Sequence, residues 1–184
     1  CSANVADLKT SPAVRAIAGP NGFKPYVPLS CSLSVHFDRF VAVAPGQEHR
    51  VGRFVVRVLA AAHGDSAVLY DVTAPDGRLL YATDTGPLPE ATLAAAAGAS
   101  YDVVLLEETF GDKLDHGTDH LDLRSFPEQV RRLRSVGAVT DRTDVVAVHL
   151  SHHNPPTPEL ARRLAAWGAR VVDDGTVLGL DGLD

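Results

Sequence analysis

At 184 residues, 45% hydrophobic and 22% charged, the chain has the length and composition of one globular domain with its own core, which excludes a disordered polypeptide. Its formal charge of −6 includes no concentrated basic stripe, which excludes an extended nucleic-acid surface. No apolar run reaches the roughly 18 residues that a membrane span needs, and no signal-peptide pattern opens the chain.

The two cysteines, Cys1 and Cys31, form no C-x-x-C pair, so a reducing cytoplasm is the expected setting, with a bridge between them left open. The sequence contains no methionine and begins with Cys1, which predicts that it is one segment of a longer reading frame.

Residues 1–34 show no clean period and read as a loop-rich segment ("AGPNGFKPYVPLSCS"). From residue 35 a single domain is expected to run to residue 184. "VHFDRFVAV" reads as a strand and "PGQEH" as a turn. "RVGRFVVRVLAA" reads as one strand, "SAVLYDVTA" as a second, and "PDG" as the hairpin turn into "RLLYATD". That is an antiparallel meander. The period then changes: "PEATLAAAAG" predicts a short helix stopped by Gly98, and "YDVVLLEE" a buried strand. In "RSFPEQVRRLRSVGA" the Ser125-x-x-Glu128 spacing reads as a capping box, with Pro127 in the first turn and Val130, Leu133 and Val136 on one face. Arg131, Arg132 and Arg134 fall on its expected solvated face, as do Arg162 and Arg163 on a last helix, "TPELARRLAAWG". That helix is predicted to be capped by Thr157, with Pro158 opening it and Gly168 ending it. "ARVVDDGTVLGL" reads as a terminal strand pair. The pattern is that of one α/β unit, a meander followed by β-α-β elements.

Polar residues recur at the mouths of the predicted strands: His63 after "RVLAA", Asp84 after "LLYAT", Glu107 and Glu108 after "DVVLL", and His149 after "VVAV". Neutral imidazole and carboxylate are ligands that suit zinc, manganese or iron, and rigid strands can aim them at one point. Glu107 and Glu108 are expected to orient loops by hydrogen bonding. His152 and His153 read as supporting or surface residues, and His36 and His49 as surface residues.

In this order and at these separations, "AAHGD", "LLYATDTG", "DVVLLEETF", "DHGTDHLDL" and "VVAVHLSHHN" resemble the C-terminal two-thirds of a metallo-β-lactamase-fold hydrolase. The nearest likeness is to the branch of cyclic-phosphate phosphodiesterases and the tRNA 3′-processing endonuclease. The resemblance covers residues 35–184. It implies an αββα sandwich of the α/β (α+β) class with two zinc ions in a complete site, manganese or iron being alternatives. Carried over by position, it makes His63, Asp84 and His149 metal ligands. It makes His120 the histidine that assists the leaving group, with His116 a neighbour able to play the same part. It implies a small-molecule phosphodiester or related ester as substrate.

The family's H-x-H-x-D-H motif has no match. The nearest string, "SVHFDR", keeps His36 and Asp38 at the right offset but has Ser34 and Arg39 where histidines belong. The ligand-bearing N-terminal part of the fold is therefore expected to be absent or replaced, and two consequences follow. One is a metal-free domain acting as a binding or assembly module. The other is a homo-oligomer in which a second copy completes the metal shell. Asp84-Thr85-Gly86 also matches the turn of an aspartic protease, but that fold is all-β and two helices follow here. No G-x-G-x-x-G or G-K-[ST] loop supports nucleotide binding.

Overall fold

The computed structural model describes residues 41–64 and 66–179, together with the backbone of residues 17 and 18. The elements are β1 (Ile17–Ala18), β2 (Val41–Ala42), β3 (Glu48–Val51), β4 (Phe54–Ala60), β5 (Val68–Ala74), β6 (Gly77–Ala82), α1 (Glu90–Ala96), β7 (Val103–Glu107), α2 (Ser125–Ser135), β8 (Asp144–Val148) and α3 (Thr157–Ala165). β1 and β2 form a short parallel pair, and the other strands form a six-stranded sheet in the order β3-β4-β5-β6-β7-β8. β3 to β6 pair antiparallel as a meander, whereas β6, β7 and β8 pair in parallel. The apolar runs of β7 and β8 are what parallel strands covered on both faces require.

Pairing register divides the sheet into two faces. Leu59 stands opposite Leu69, Leu80 beside Val104 and Val145, and Ala82 beside Leu106 and Ala147. These residues share one core cluster with Leu93 of α1, Phe126 and Leu133 of α2, and Leu160 and Leu164 of α3. Truncating fully buried Leu133 to Ala costs about 2–5 kcal/mol by the usual cavity rule. The opposite face is dry as well, since Val58, Val103 and Val146 are also buried. No helix among the described residues is long and apolar enough to cross a membrane.

Several local readings are corrected. "RVGRFVVRVLAA" is two strands, because Gly52 takes a positive φ of 60° and turns Val51 back against Phe54. The capping box at α2 lies one turn upstream. Asp122 Oδ1 accepts from the amides of Arg124 (3.0 Å) and Ser125 (2.6 Å), and Ser125 Oγ accepts in return from the Asp122 amide at 2.9 Å. Glu128 pairs instead with Arg131 at 2.6 Å. Thr157 is the first helical residue, not a cap, and follows Pro156, which makes no side-chain cap. The terminal strand pair reduces, among the described residues, to one bridge between Val146 and Arg170. Arg132 and Arg163 are not free on solvated faces. Arg132 spans α2 to α1 through the Leu88 carbonyl and Glu90, and Arg163 binds Asp112 at 2.9 Å. Residues 1–16 and 19–40, with His36 and Asp38, lie outside the described residues.

Candidate metal centre

β4 runs antiparallel to β5, and β5 antiparallel to β6. β4, β6, β7 and β8 therefore share one direction, and their C-terminal ends share one edge of the sheet. His63 follows β4, Asp84 follows β6, Glu107 closes β7 and His149 follows β8, while His120 lies on the connection from β7 to α2. Ligands of α/β sheets gather at such an edge. The first two segments are laced together. The Ala62 amide donates to Thr85 Oγ1, and the Gly86 amide donates to the Ala62 carbonyl, both at 2.9 Å.

At the centre is Glu107, which is fully buried. Its carboxylate accepts from the amides of Thr85 and Leu121, from Thr109 Oγ1 at 2.6 Å and from His120 Nδ1 at 3.0 Å. Four donors fill the roughly four lone-pair sites of a carboxylate. Glu107 thereby ties the Asp84 turn to the His120 loop and anchors the back of the His120 ring. The front of that ring, Nε2, faces His63 Nε2 at 3.3 Å. The His149 ring lies stacked beside it at 5.6 Å between centroids, with its Nε2 3.4 Å from Asp84 Oδ1. The Asp84 carboxylate also accepts from Thr83 Oγ1 at 2.6 Å.

The four expected residues thus come together as a row, His63 to His120 to His149 to Asp84. Among the described residues, the group whose possible ligand atoms all lie within 4.8 Å of one another is Glu107, His120 and His149. Glu107 has no lone pair left over for a cation, so its place there is to orient. His149 and Asp84 fit a metal better. Two ligand atoms about 2.0–2.1 Å from one zinc at a tetrahedral angle lie about 3.3 Å apart, which is close to their separation. Both groups are open to solvent, at 45% and 38% exposure, so an ion can reach them. The donor set suits zinc, manganese or iron.

Glu108 behaves differently from its neighbour. It is fully buried, takes one amide hydrogen bond from Gly111 at 3.1 Å, and burial pushes its carboxyl from an ordinary 4.5 to about 7. The His149 loop closes over this region. Asn154 Nδ2 donates to the carbonyls of Glu108 and Thr109, and Ser151 Oγ donates to that of Thr109. His116 is held by Asp122 at 3.2 Å and stacks on Phe110 at 4.2 Å. His153 stacks on Phe110 at 5.7 Å, a supporting position. Thr109 has no signal in the sequence that distinguishes it, and Gly86 stands out there only as part of the Asp84-Thr85-Gly86 turn.

The arrangement is that of the metallo-β-lactamase fold, and the chain has that fold. The Bacillus subtilis metallo-β-lactamase fold protein YhfI superposes on it with a TM-score of 0.58 at 14% identity, over 75% of this chain and 54% of that one. The zinc-bound protein PqqB of Methylobacterium extorquens gives a TM-score of 0.56 at 20% identity, over 77% of this chain and 53% of its own. The isothiocyanate hydrolase of Delia radicum gut bacteria gives 0.58 at 14% identity, over 78% and 60%. The chain therefore spans between 53% and 60% of the length of these three proteins. No protein-family profile and no curated protein matches the sequence.

Proposed function

We propose that the chain is the core of a metal-dependent hydrolase that uses zinc to cleave a phosphodiester or related ester in the cytoplasm. The observation that carries this reading is the row of three imidazoles and one carboxylate, drawn from four separate segments to one edge of the sheet. Two similarly folded proteins, the zinc-bound PqqB and the isothiocyanate hydrolase, support the class of chemistry.

His63, Asp84 and His149 would hold the metal, which when bound supplies Lewis acidity and a nucleophile from water at neutral pH. His120 meets the departing oxygen. Its Nδ1 rests on the Glu107 carboxylate, which stabilises the ring when protonated, so Nε2 is the atom that delivers a proton. His63 Nε2 lies 3.3 Å from that nitrogen. Residues 35–184 act as one unit in this reading, and a second copy of the chain is the proposed source of any ligands that His63, Asp84 and His149 leave unfilled.

Plasma emission analysis after gentle purification, paired with hydrolysis of bis(p-nitrophenyl) phosphate, tests the proposal. About one or more zinc, manganese or iron per chain is expected, with His120→Ala lowering kcat by about 10²–10⁴-fold at unchanged metal content. Well below one metal per chain, with no hydrolysis, overturns it in favour of a metal-free binding or assembly module. Metal-dependent doubling of mass in light scattering would place the missing ligands on a partner copy.

A further inference from the structure

We propose that Thr109 is a positioning residue that fixes which ring nitrogen of His149 carries the proton, leaving Nε2 free to bind a cation. The inference rests on the reading of His149 as a metal ligand, but its first test does not. Thr109 is buried and has one hydroxyl proton to give. That proton goes to Glu107 Oε2 at 2.6 Å, because a carboxylate already accepting amide protons can only accept. Towards His149 Nδ1, 2.9 Å away, Thr109 Oγ1 therefore presents lone pairs, and Nδ1 must carry a hydrogen. A neutral imidazole has one ring hydrogen, so its Nε2 is left as a lone pair, 3.4 Å from Asp84 Oδ1. If the ring is protonated the contact with Thr109 is unchanged.

Burial cannot set this tautomer, since the His149 side chain is 45% exposed. The backbone supplies the aim. His149 holds a positive φ of 57°, uncommon outside glycine, which turns the ring back from the end of β8 towards Thr109. One buried carboxylate thus orients two imidazoles, His120 directly and His149 through the threonine hydroxyl. Ligating histidines are commonly organised in this way, and losing the outer partner typically costs about 10–100-fold in metal affinity.

The test uses the full chain, ¹⁵N-labelled and chelator-treated, as wild type, Thr109→Val and Thr109→Ser. Long-range ¹H–¹⁵N correlation of the His149 ring at pH 8 is expected to show the Nδ1–H form in wild type and in Thr109→Ser. Thr109→Val should show a mixture or the Nε2–H form. Zinc affinity, by competition with a chelating dye, should fall about 10–100-fold in Thr109→Val and return in Thr109→Ser, with thermal midpoints reporting that each variant is folded. An Nε2–H ring in wild type, which needs no variant, overturns the proposal. So does an Nδ1–H ring that persists in folded Thr109→Val. Wild type that shows the expected tautomers but binds no zinc defeats the hydrolase reading alone. Equal zinc affinity with unmoved tautomers defeats this inference alone.

Discussion

Gly86 and Thr118 meet so closely that a Cβ on the glycine would stand 1.7 Å from the Thr118 carbonyl oxygen. The contact joins the turn that carries Asp84 to the loop that carries His120, two residues from each. Because the obstacle is backbone, no rotamer change relieves it. Gly86→Ala is expected to push the two loops apart and to cost about 1–3 kcal/mol by overpacking. Urea unfolding gives the loss, and ring resonances of His120 should shift with it. Unchanged stability and unchanged resonances would show that the loops are not held in register there.

Much of the site was readable because strand direction does the gathering. Each of β4, β6, β7 and β8 announces its end by an apolar run that gives way to a polar residue, and the shared direction brings those ends to one edge. Thr109 was not readable. A threonine after a strand is ordinary, and its role arises only when Glu107 and His149, 2 and 40 residues away, close on it. The split at Gly52 is hidden for a related reason, since Val51 before it and the apolar run that begins at Phe54 read as one continuous strand.

The displaced capping box is a second case of local ambiguity, and it yields a prediction. Ser125-x-x-Glu128 is the string that fits the sequence pattern, but Asp122 accepts two amides at once and also holds His116, so the reciprocal pair forms one turn earlier. Asp122→Ala should therefore cost about 1–2 kcal/mol, and Glu128→Ala clearly less than Asp122→Ala, since Glu128 only pairs with exposed Arg131. Equal losses in urea unfolding would restore the box to Ser125.

Asp71 is fully buried between Arg57 and Arg78, which also reach the carbonyls of Ala95 and Ala99 at the end of α1. Burial pushes its pKa up, but hydrogen bonds and charge from Arg78 and Arg57 outweigh this and hold the carboxyl below its ordinary value. Asp71→Asn leaves two arginines uncompensated and should cost about 3 kcal/mol at pH 7, the low end for a broken buried pair, because both arginines touch solvent. A depressed folded pKa gives stability that is present above the unfolded value of about 3.9 and lost as pH falls through the folded one. The gap between wild type and variant should therefore close below about pH 4, when unfolding midpoints are compared from pH 7 down to pH 2.5.

Glu108 carries the opposite sign. Its Oε2 is buried without a close hydrogen-bond partner among the described residues, and burial, opposed first by the Gly111 amide and then by Asn154, raises the carboxyl to about 7. The folded chain therefore keeps a proton that the unfolded chain, with its ordinary value of 4.5, has released. Stability must fall as pH rises between those two values and level off above the folded one. Glu108→Gln preserves an acceptor for the Gly111 amide and removes the charge. It should come close to wild type at pH 4.5 and exceed it by on the order of 3 kcal/mol at pH 8, when the same unfolding measurement is made on both. Other groups titrate in that interval, but they are common to both chains and cancel in the difference. A difference independent of pH would mean that Glu108 stays ionised in the fold, and that the burial around β7 is not as dry as its neighbours make it.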